Sequence, residues 1–199
     1  MPEKLTNGAE IMVGSLSDAR ENQTGSFEKQ TENANISVNG TDGLPVIMCI
    51  GSDRVAGDLL GPAVGRRLIE EYGLKAYVYG ITGRNINGAN IDRYDEFIKT
   101  NHRDGKIIAV DACLGSAKDI GGIKVSGVGV GAGYAVGKSG KRYGDIGVVG
   151  IVAENAEDNV MQLLSADCGL IEDLSGKVAE YIADNLDTLL GKHPARKRS

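Results

Sequence analysis

Two aspartates that follow apolar segments are the residues of this sequence best suited to chemistry. Asp58 lies in a glycine-rich turn after the apolar residues 46–50, and Asp111 ends the apolar residues 106–111. Short apolar runs of this kind predict buried strands, and ligands of open α/β sheets bind near the carboxyl ends of strands. Two carboxyls that share one site cannot both ionise cheaply, so one can hold a proton while the other activates water. The pair therefore predicts acid–base hydrolysis; the alternative is that each aspartate only caps a turn or a helix.

Further polar residues are candidates for substrate binding or for supporting such a site. Asp53 and Arg54 share the turn with Asp58, and Arg54 could bind a substrate carboxylate or keep an aspartate ionised. The alternative for these two is a local surface ion pair of little energetic consequence. Asn87 lies in a polar loop, and Asp145 directly precedes the apolar residues 146–152.

Metal and cofactor chemistry is not indicated by the residue types present. The cysteines are isolated and odd in number, which argues against a disulfide framework and a Cys-only metal site: Cys49, Cys113 and Cys168. The only histidines are His102 and His193, which weakens any zinc or nickel site. An all-carboxylate magnesium or calcium site stays open. We predict no cofactor and no metal.

Residues 132–139, Ala-Gly-Tyr-Ala-Val-Gly-Lys-Ser, nearly match a phosphate-binding loop. Such a loop must lie between a strand and a helix, and the Gly-Lys-Arg-Tyr-Gly that follows is a poor helix start. Nucleotide binding is therefore the weaker interpretation. We predict instead that the glycine-rich residues 127–144 form a flap over the site.

Charge and composition limit the partners and the location of the protein. The net charge of −5, the pI of about 5.1 and the absence of Trp argue against a nucleic-acid partner. No apolar run is long enough to span a bilayer, and residues 1–43 lack the features of a signal peptide. We expect a cytoplasmic protein with no membrane partner, a peptide or protein substrate, and an open possibility of homo-oligomers.

The chain divides into two tails and one domain. Residues 1–43 are polar and predict a disordered tail, residues 44–191 predict a single α/β domain, and residues 192–199 form a basic tail. Strands alternate with helices, which predicts a largely parallel sheet covered on both faces. We place strands at 46–50, 76–81, 106–111 and 146–152, and a short antiparallel strand at 123–126. We place helices at 60–72, at 156–164 with Asn155 as its N-cap, and at 170–190. A further helix is predicted to begin after Asn90 as its N-cap.

An ordered series of motifs resembles a known family. The motifs are Gly-Ser-Asp-Arg-Val-Ala-Gly-Asp-Leu-Leu-Gly-Pro at 51–62, Val-Tyr-Gly at 78–80, Ile-Ala-Val-Asp-Ala-Cys-Leu-Gly at 108–115, Gly-Ala-Gly at 131–133, Gly-Asp-Ile at 144–146 and Gly-Ile-Val at 150–152. Together they resemble the YyaC family of spore proteases over residues 45–190. That family is related to the spore germination protease and, more distantly, to hydrogenase maturation proteases.

The resemblance implies a three-layer α/β/α sandwich and cleavage of a peptide bond, with Asp58 and Asp111 as the acidic pair, in a spore-forming bacterium. Asn87 stands where many members carry the histidine of a Pro-Val-His-Ala segment. The metal-binding histidine of the hydrogenase maturation proteases has no equivalent here, so nickel chemistry is not implied. The competing interpretation is a non-catalytic sporulation protein that binds a peptide or a cation in its acidic pocket.

Overall fold

The computed structural model describes residues 13–14, 43–131 and 140–192 of the chain. Within these ranges the strands are β1 Val13–Gly14, β2 Val46–Cys49, β3 Tyr77–Tyr79, β4 Ile107–Gly115, β5 Ile123–Ser126 and β6 Ile146–Glu154. The α-helices are α1 Leu60–Glu70, α2 Ile91–Asn101, α3 Asn159–Leu164 and α4 Cys168–Leu189. Short 3₁₀ turns lie at Gly57–Leu59 and Ala117–Asp119.

The strands form one sheet in the order β1-β3-β2-β4-β6-β5. All pairs are parallel except β5 with β6, which confirms the antiparallel strand expected at 123–126. From β2 the chain first passes to β3 on one side and then returns to β4 on the other side. The order of strands therefore reverses between β2 and β4, and such a reversal opens a crevice at the carboxyl ends of the two strands.

Helices cover both faces of the sheet because alternate strand residues are apolar on both faces. Ile47 and Val110 pack in a buried cluster with residues of α1 and α4, while Met48 and Ala109 pack on the opposite face with residues of α2. The fold is thus a three-layer α/β/α arrangement around a mostly parallel sheet. No helix in the described ranges combines the length and the apolar character that crossing a bilayer requires.

Several element boundaries differ from the sequence-based expectation. β4 extends to Gly115 because it pairs with β6 along that whole length, whereas the local apolar run ends at residue 111. The expected helix at 156–164 begins only at Asn159. Its N-cap is Asp158, whose Oδ1 accepts from the backbone N–H of Met161 at 3.0 Å, so the expectation of an Asn155 cap was wrong.

Residues 13 and 14 form an edge strand inside the segment expected to be a disordered tail. They pair in parallel with Val78 and Tyr79 of β3, through backbone groups that no side-chain pattern reveals. Apart from Gly43 and Lys192, the remaining residues of both predicted tails lie outside the described ranges. So does the phosphate-loop-like stretch 132–139 and, with it, the central part of the predicted flap.

Candidate active site

Asp58 is held in the 3₁₀ turn Gly57–Leu59 that leads from β2 into α1. Two glycines allow this turn to press against the end of β2. A Cβ atom on Gly51, whose φ is +146°, would lie 1.9 Å from the carbonyl oxygen of Asp58, and one on Gly61 would lie 2.0 Å from the carbonyl oxygen of Ile50. No side chain fits at such distances, so glycine at both positions is required for the backbone around Asp58.

Asp111 lies within β4, at the level where β2 ends. The last pair between the two strands is Cys49 with Val110, so Asp111 is the first residue of β4 that passes beyond β2. Its neighbours on β6 continue the sheet on the other side, with a register shift between Cys113 and Leu114. Irregularities of this kind are frequent beside functional sites because they redirect side chains.

The two aspartates line the same cavity, which has a volume of about 310 Å³. Both carboxyl-bearing residues are half-buried. The cavity lies at the reversal of strand order between β2 and β4, where a ligand site is expected. Its described lining residues are Ile50, Gly51, Asp58, Asn87, Gly88, Asp111, Ala112, Cys113, Leu114, Gly131, Asn155, Asn159 and Leu163.

The carboxyl pair has an asymmetric electrostatic environment. Burial raises the pKa of Asp58 above its ordinary value. Burial also raises the pKa of Asp111, and the negative charge of Asp58 raises it further, so it lies well above its ordinary value. A hydrogen bond from the backbone N–H of Ala112 to Oδ1 of Asp111, at 2.8 Å, opposes this shift in part. Asp111 is therefore the carboxyl that retains a proton when Asp58 has lost its own.

Asn87 reaches the cavity because its loop pairs with the end of β2. Ile86 forms a parallel bridge with Ile50, and the backbone N–H of Gly51 donates to the Ile86 carbonyl at 2.7 Å. The Oδ1 atom of Asn87 accepts from the backbone N–H of Ala89 at 3.0 Å. Within the described ranges Nδ2 of Asn87 has no protein partner, so it is available as a donor to a ligand.

The structure places three of the predicted site residues away from this cavity. Asp53 and Arg54 are exposed, and Asp53 accepts hydrogen bonds from Gly83 N–H at 3.1 Å and from Nδ2 of Asn85 at 2.7 Å. Asp53 thus joins two loops near the site instead of lining it. Asp145 lies at the opposite edge of the sheet, where its Oδ2 accepts from the backbone N–H of Ile107, at the start of β4, at 2.8 Å. Its side chain fixes the amino ends of β4 and β6.

Two asparagines and a leucine complete the cavity without having been predicted for it. Asn155 directly follows β6, and Asn159 and Leu163 lie on α3. The position of Asn155 after an apolar strand is the same signal that identified Asp111, but it was interpreted as a helix cap. No local signal in the sequence predicts that α3 lines the cavity. Its position depends on how the connection after β6 folds back over the turn at Gly57, which Leu163 contacts.

The described lining residues form neither an activated thiolate nor a metal site with three or more ligands. Burial raises the pKa of the Cys113 thiol, the charge of Lys124 acts in the opposite direction, and Asp111 raises it again. The neutral thiol is a weak nucleophile. Across the described ranges no group of three or more His, Cys, Asp or Glu side chains is arranged to hold a metal ion. Asp58 and Asp111 alone could offer oxygen ligands to a hard cation.

Comparisons with known proteins find similar solved structures, a similar curated protein and a matching family. The structure is similar to that of the [NiFe] hydrogenase maturation protease HycI from Thermococcus kodakarensis KOD1, with 19% identity, 73% of this chain and 93% of that chain covered, and a TM-score of 0.47. It is similar to that of an uncharacterized protein from Wolinella succinogenes, with 18% identity, 74% and 99% covered, and a TM-score of 0.44.

The sequence is 31% identical to the uncharacterized protein YyaC of Bacillus subtilis (strain 168) over 138 residues, which are 69% of this chain and 67% of that protein. The profile of the family described as protein of unknown function DUF1256 matches residues 20–183. This match begins within the segment expected to be a tail and continues through most of α4. The resemblance to YyaC drawn from the motifs is thereby confirmed, and the chain belongs to the DUF1256 family.

Proposed function

We propose that this protein is a peptidase in which Asp58 and Asp111 act as an acid–base pair. The observation that supports this most directly is that both carboxyls line one half-buried cavity at the point where the strand order reverses. The cavity volume of about 310 Å³ is in the range of small ligand sites, and the described lining contains no basic side chain that would plug it.

We infer the roles of the two carboxyls from their different pKa shifts. Asp58, ionised, takes a proton from a water molecule, whose oxygen attacks the carbonyl carbon of the peptide bond. Asp111 donates its proton to the carbonyl oxygen, and the hydrogen bond from Ala112 to its Oδ1 leaves Oδ2 to carry that proton. The proton held by Asp58 then passes to the amide nitrogen as the C–N bond breaks. The hydroxyl on the former carbonyl carbon returns its proton to Asp111, so both aspartates regain their starting states.

The substrate is proposed to be a polypeptide, and the resemblance to spore proteases makes acid-soluble spore proteins the first substrates to test. Asn87, with its unpartnered Nδ2, and Asn155 and Asn159 on the other side of the cavity can donate to and accept from a peptide backbone. Donors and acceptors of both kinds suit an amide substrate better than a purely anionic one.

Asp58→Asn tests the proposal because it removes the base while keeping the shape of the side chain. We expect the variant to fold and to cleave purified small acid-soluble spore proteins at least about a hundredfold more slowly than the wild type, since general base catalysis contributes factors of this size. Fragments would be identified by mass spectrometry. Asp53→Asn is the matched control, because Asp53 lies in the same turn but outside the cavity, and it should retain cleavage.

Full cleavage by Asp58→Asn would remove Asp58 from the mechanism. If the wild type cleaves no substrate yet binds peptides, or Mg²⁺ or Ca²⁺, in a manner that depends on Asp58 and Asp111, the protein is a binding protein that retains the fold. Isothermal titration calorimetry with each cation and with a spore-protein peptide separates these outcomes.

A further inference from the structure

The hydrogen bonds of Asn87 decide which end of its side-chain amide a ligand can meet. Its Oδ1 accepts from the backbone N–H of Ala89 at 3.0 Å. A backbone N–H can only donate, so the atom that it contacts must be the amide oxygen, and Nδ2 is the other end. Asn87 lines the cavity that also contains Asp58 and Asp111, and within the described ranges its Nδ2 has no protein partner. The loop therefore offers an N–H donor to a ligand in this cavity.

The backbone of Asn87 is fixed at the turn that leads into α2. Its carbonyl oxygen accepts from the N–H groups of Asn90, at 3.0 Å, and of Ile91, at 2.9 Å. Its own N–H donates to Oδ1 of Asn90 at 2.8 Å. Together with the bond from Ala89, this is a variant of the capping box, in which a polar residue and a second one three positions later satisfy backbone N–H groups of the same turn. The side chain of Asn87 therefore has little freedom to turn away.

Asn90 also holds the loop on the other side of Asn87. Its side chain is half-buried, and its Nδ2 donates to the carbonyl oxygen of Asn85 at 3.0 Å. Between these residues, the carbonyl oxygen of Ile86 accepts from the N–H of Gly51 at 2.7 Å, which ties the loop to the end of β2. A donor that is fixed in this way before binding needs no reorganisation when negative charge develops beside it.

We propose that Asn87 is a catalytic residue, whose Nδ2 donates to the carbonyl oxygen of the peptide bond during the attack of water, and that Asn90 is the residue that positions it. The inference rests on the proposed peptidase function. The carbonyl oxygen gains negative charge as the bond between carbon and the water oxygen forms. One of its lone pairs takes the proton of Asp111. The other accepts the hydrogen bond from Asn87, whose proton stays on the nitrogen.

A neutral donor suits this cavity better than a cation does. The described lining carries no basic side chain. A cation beside Asp58 and Asp111 would favour the ionised form of both carboxyls, whereas the proposed reaction requires one of them to keep its proton. The amide of Asn87 can stabilise a negative oxygen without adding a charge that would disturb this balance.

Asn87→Ser tests the catalytic role. The serine oxygen can still accept from the N–H of Ala89, because serine is as good a cap as asparagine, but it carries no amide that could reach the substrate. We expect kcat for the cleavage of small acid-soluble spore proteins to fall about a hundredfold, the usual effect of losing one such donor. KM should stay within about threefold, since the bond strengthens in the transition state. The pH profile should keep its position, because the change removes no charge.

Asn90→Ser tests the positioning role, because it removes the bond to the carbonyl oxygen of Asn85 and loosens the loop. We expect kcat to fall about tenfold or more, as misplacement of a catalytic group has effects of this size. Asn101→Ser is the matched control. Asn101 lies at the other end of α2, where its Nδ2 donates to the carbonyl oxygen of Phe97 at 2.8 Å, and it does not line the cavity. This variant should retain kcat.

A binding measurement tests the donor separately from turnover. N-methylacetamide, the smallest molecule with a peptide bond, would be titrated into the full-length protein labelled with ¹⁵N. The side-chain NH₂ signals of Asn87 are those that Asn87→Ser lacks in the NMR spectrum. We expect them to move downfield and to saturate, while the NH₂ signals of Asn101 stay in place. N-methylthioacetamide should move them less, because sulfur is a weaker acceptor than oxygen.

Unchanged kcat in Asn87→Ser overturns the catalytic role, and so does a loss that lies wholly in KM. Equal losses in Asn90→Ser and Asn101→Ser overturn the positioning role. Asn87 signals that do not respond at the highest soluble concentration of N-methylacetamide overturn the donor itself. Failure of the peptidase function has a different signature. The wild type would then cleave no spore protein, while the Asn87 signals would still respond, which retains Asn87 as the donor to an amide ligand.

Discussion

The side chain of Asp111 lies where a negative charge is costly, and under the proposed mechanism this residue connects stability with catalysis. It lies half-buried on β4, near enough to Asp58 for that charge to raise its pKa, and its Oδ1 accepts a hydrogen bond from the backbone N–H of Ala112. A carboxyl whose pKa is raised by folding binds its proton more tightly in the folded than in the unfolded chain. Its favourable contribution is therefore complete at acid pH and is lost as the pH rises through the pKa of the folded state.

Asp111→Asn should thus stabilise the protein at neutral and alkaline pH. Asparagine keeps the shape of the protonated carboxyl and cannot ionise, so we expect a gain on the order of 1 kcal/mol in the free energy of unfolding, since one pKa unit corresponds to about 1.4 kcal/mol. Urea denaturation at a series of pH values would show the gain growing with pH and vanishing in acid. Asp53→Asn, in the exposed turn, should show no such gain. A variant less stable than the wild type at every pH would contradict the assignment.

Catalysis should depend on pH with a bell shape. Activity rises as Asp58 loses its proton and falls as Asp111 loses its own, and both limbs lie above the ordinary range of aspartate because both pKa values are raised. The profile of kcat/KM for a cleaved spore-protein peptide would show this directly. An activity that keeps rising through alkaline pH would exclude Asp111 as the acid.

At the scale of elements, the junction of β2 with α1 positions Asp58, the proposed base. Helix α1 begins directly against the end of β2, and Gly61 is the point of contact, with no room for a Cβ beside the carbonyl oxygen of Ile50. The short 3₁₀ turn that contains Asp58 is fixed between these two elements. The location of Asp58 therefore depends on close backbone packing, as well as on its position in the sequence.

Two glycine-to-alanine changes inside helices should have opposite effects. Gly61→Ala forces backbone atoms apart and should lower the free energy of unfolding by about 1–3 kcal/mol or more, the usual cost of overpacking. Gly176→Ala, in α4, places its Cβ 3.9 Å from the nearest atoms, those of Arg67, and should raise stability by about 0.5–1 kcal/mol through helix propensity. Thermal denaturation of both variants checks the signs. Equal effects of the two changes on stability would show that the contact between Gly61 and the carbonyl oxygen of Ile50 does not exclude a Cβ atom.

At the scale of the whole molecule, α1 and α4 form one layer of the sandwich, and Arg67 joins them. Its Nε donates to Oγ of the buried Ser175 at 3.0 Å, its Nη1 to Glu71 at 2.7 Å, and its Nη2 to Glu172 of α4. Its side chain is 21% exposed. A partly buried arginine with three partners on two helices stabilises the packing of those helices more than a surface ion pair does.

Arg67→Ala should destabilise the protein by about 2 kcal/mol, because the change removes charged hydrogen bonds and the packing of the aliphatic stem. Arg66→Ala is the matched control. Its side chain is 58% exposed and pairs with Glu70 at 3.6 Å, so the loss should stay below about 0.5 kcal/mol. Chemical denaturation of both variants measures the difference, and equal losses would show that Arg67 does not join the two helices.

The sequence alone determined the order of the elements from β2 onward and the candidate pair. Apolar runs and a glycine-rich turn are local signals, and they led to Asp58 and Asp111. The antiparallel strand at 123–126, in a glycine-rich part of the chain, was predicted as well. Asn90 was correctly placed before α2, although its side chain bonds the loop at Asn85 and Asn87 and not the helix.

Only the tertiary structure decided which of these residues meet. Asp145 directly precedes β6, whereas Asp58 follows β2. Because β4 and β6 run parallel, Asp145 lies at the amino ends of these strands, at the edge of the sheet opposite to the cavity. Asn155 and Asn159 enter the cavity because the connection after β6 folds back over the turn at Gly57. Strand order, register and return paths are fixed by contacts between residues far apart in the chain, and the local pattern of side chains does not encode those contacts.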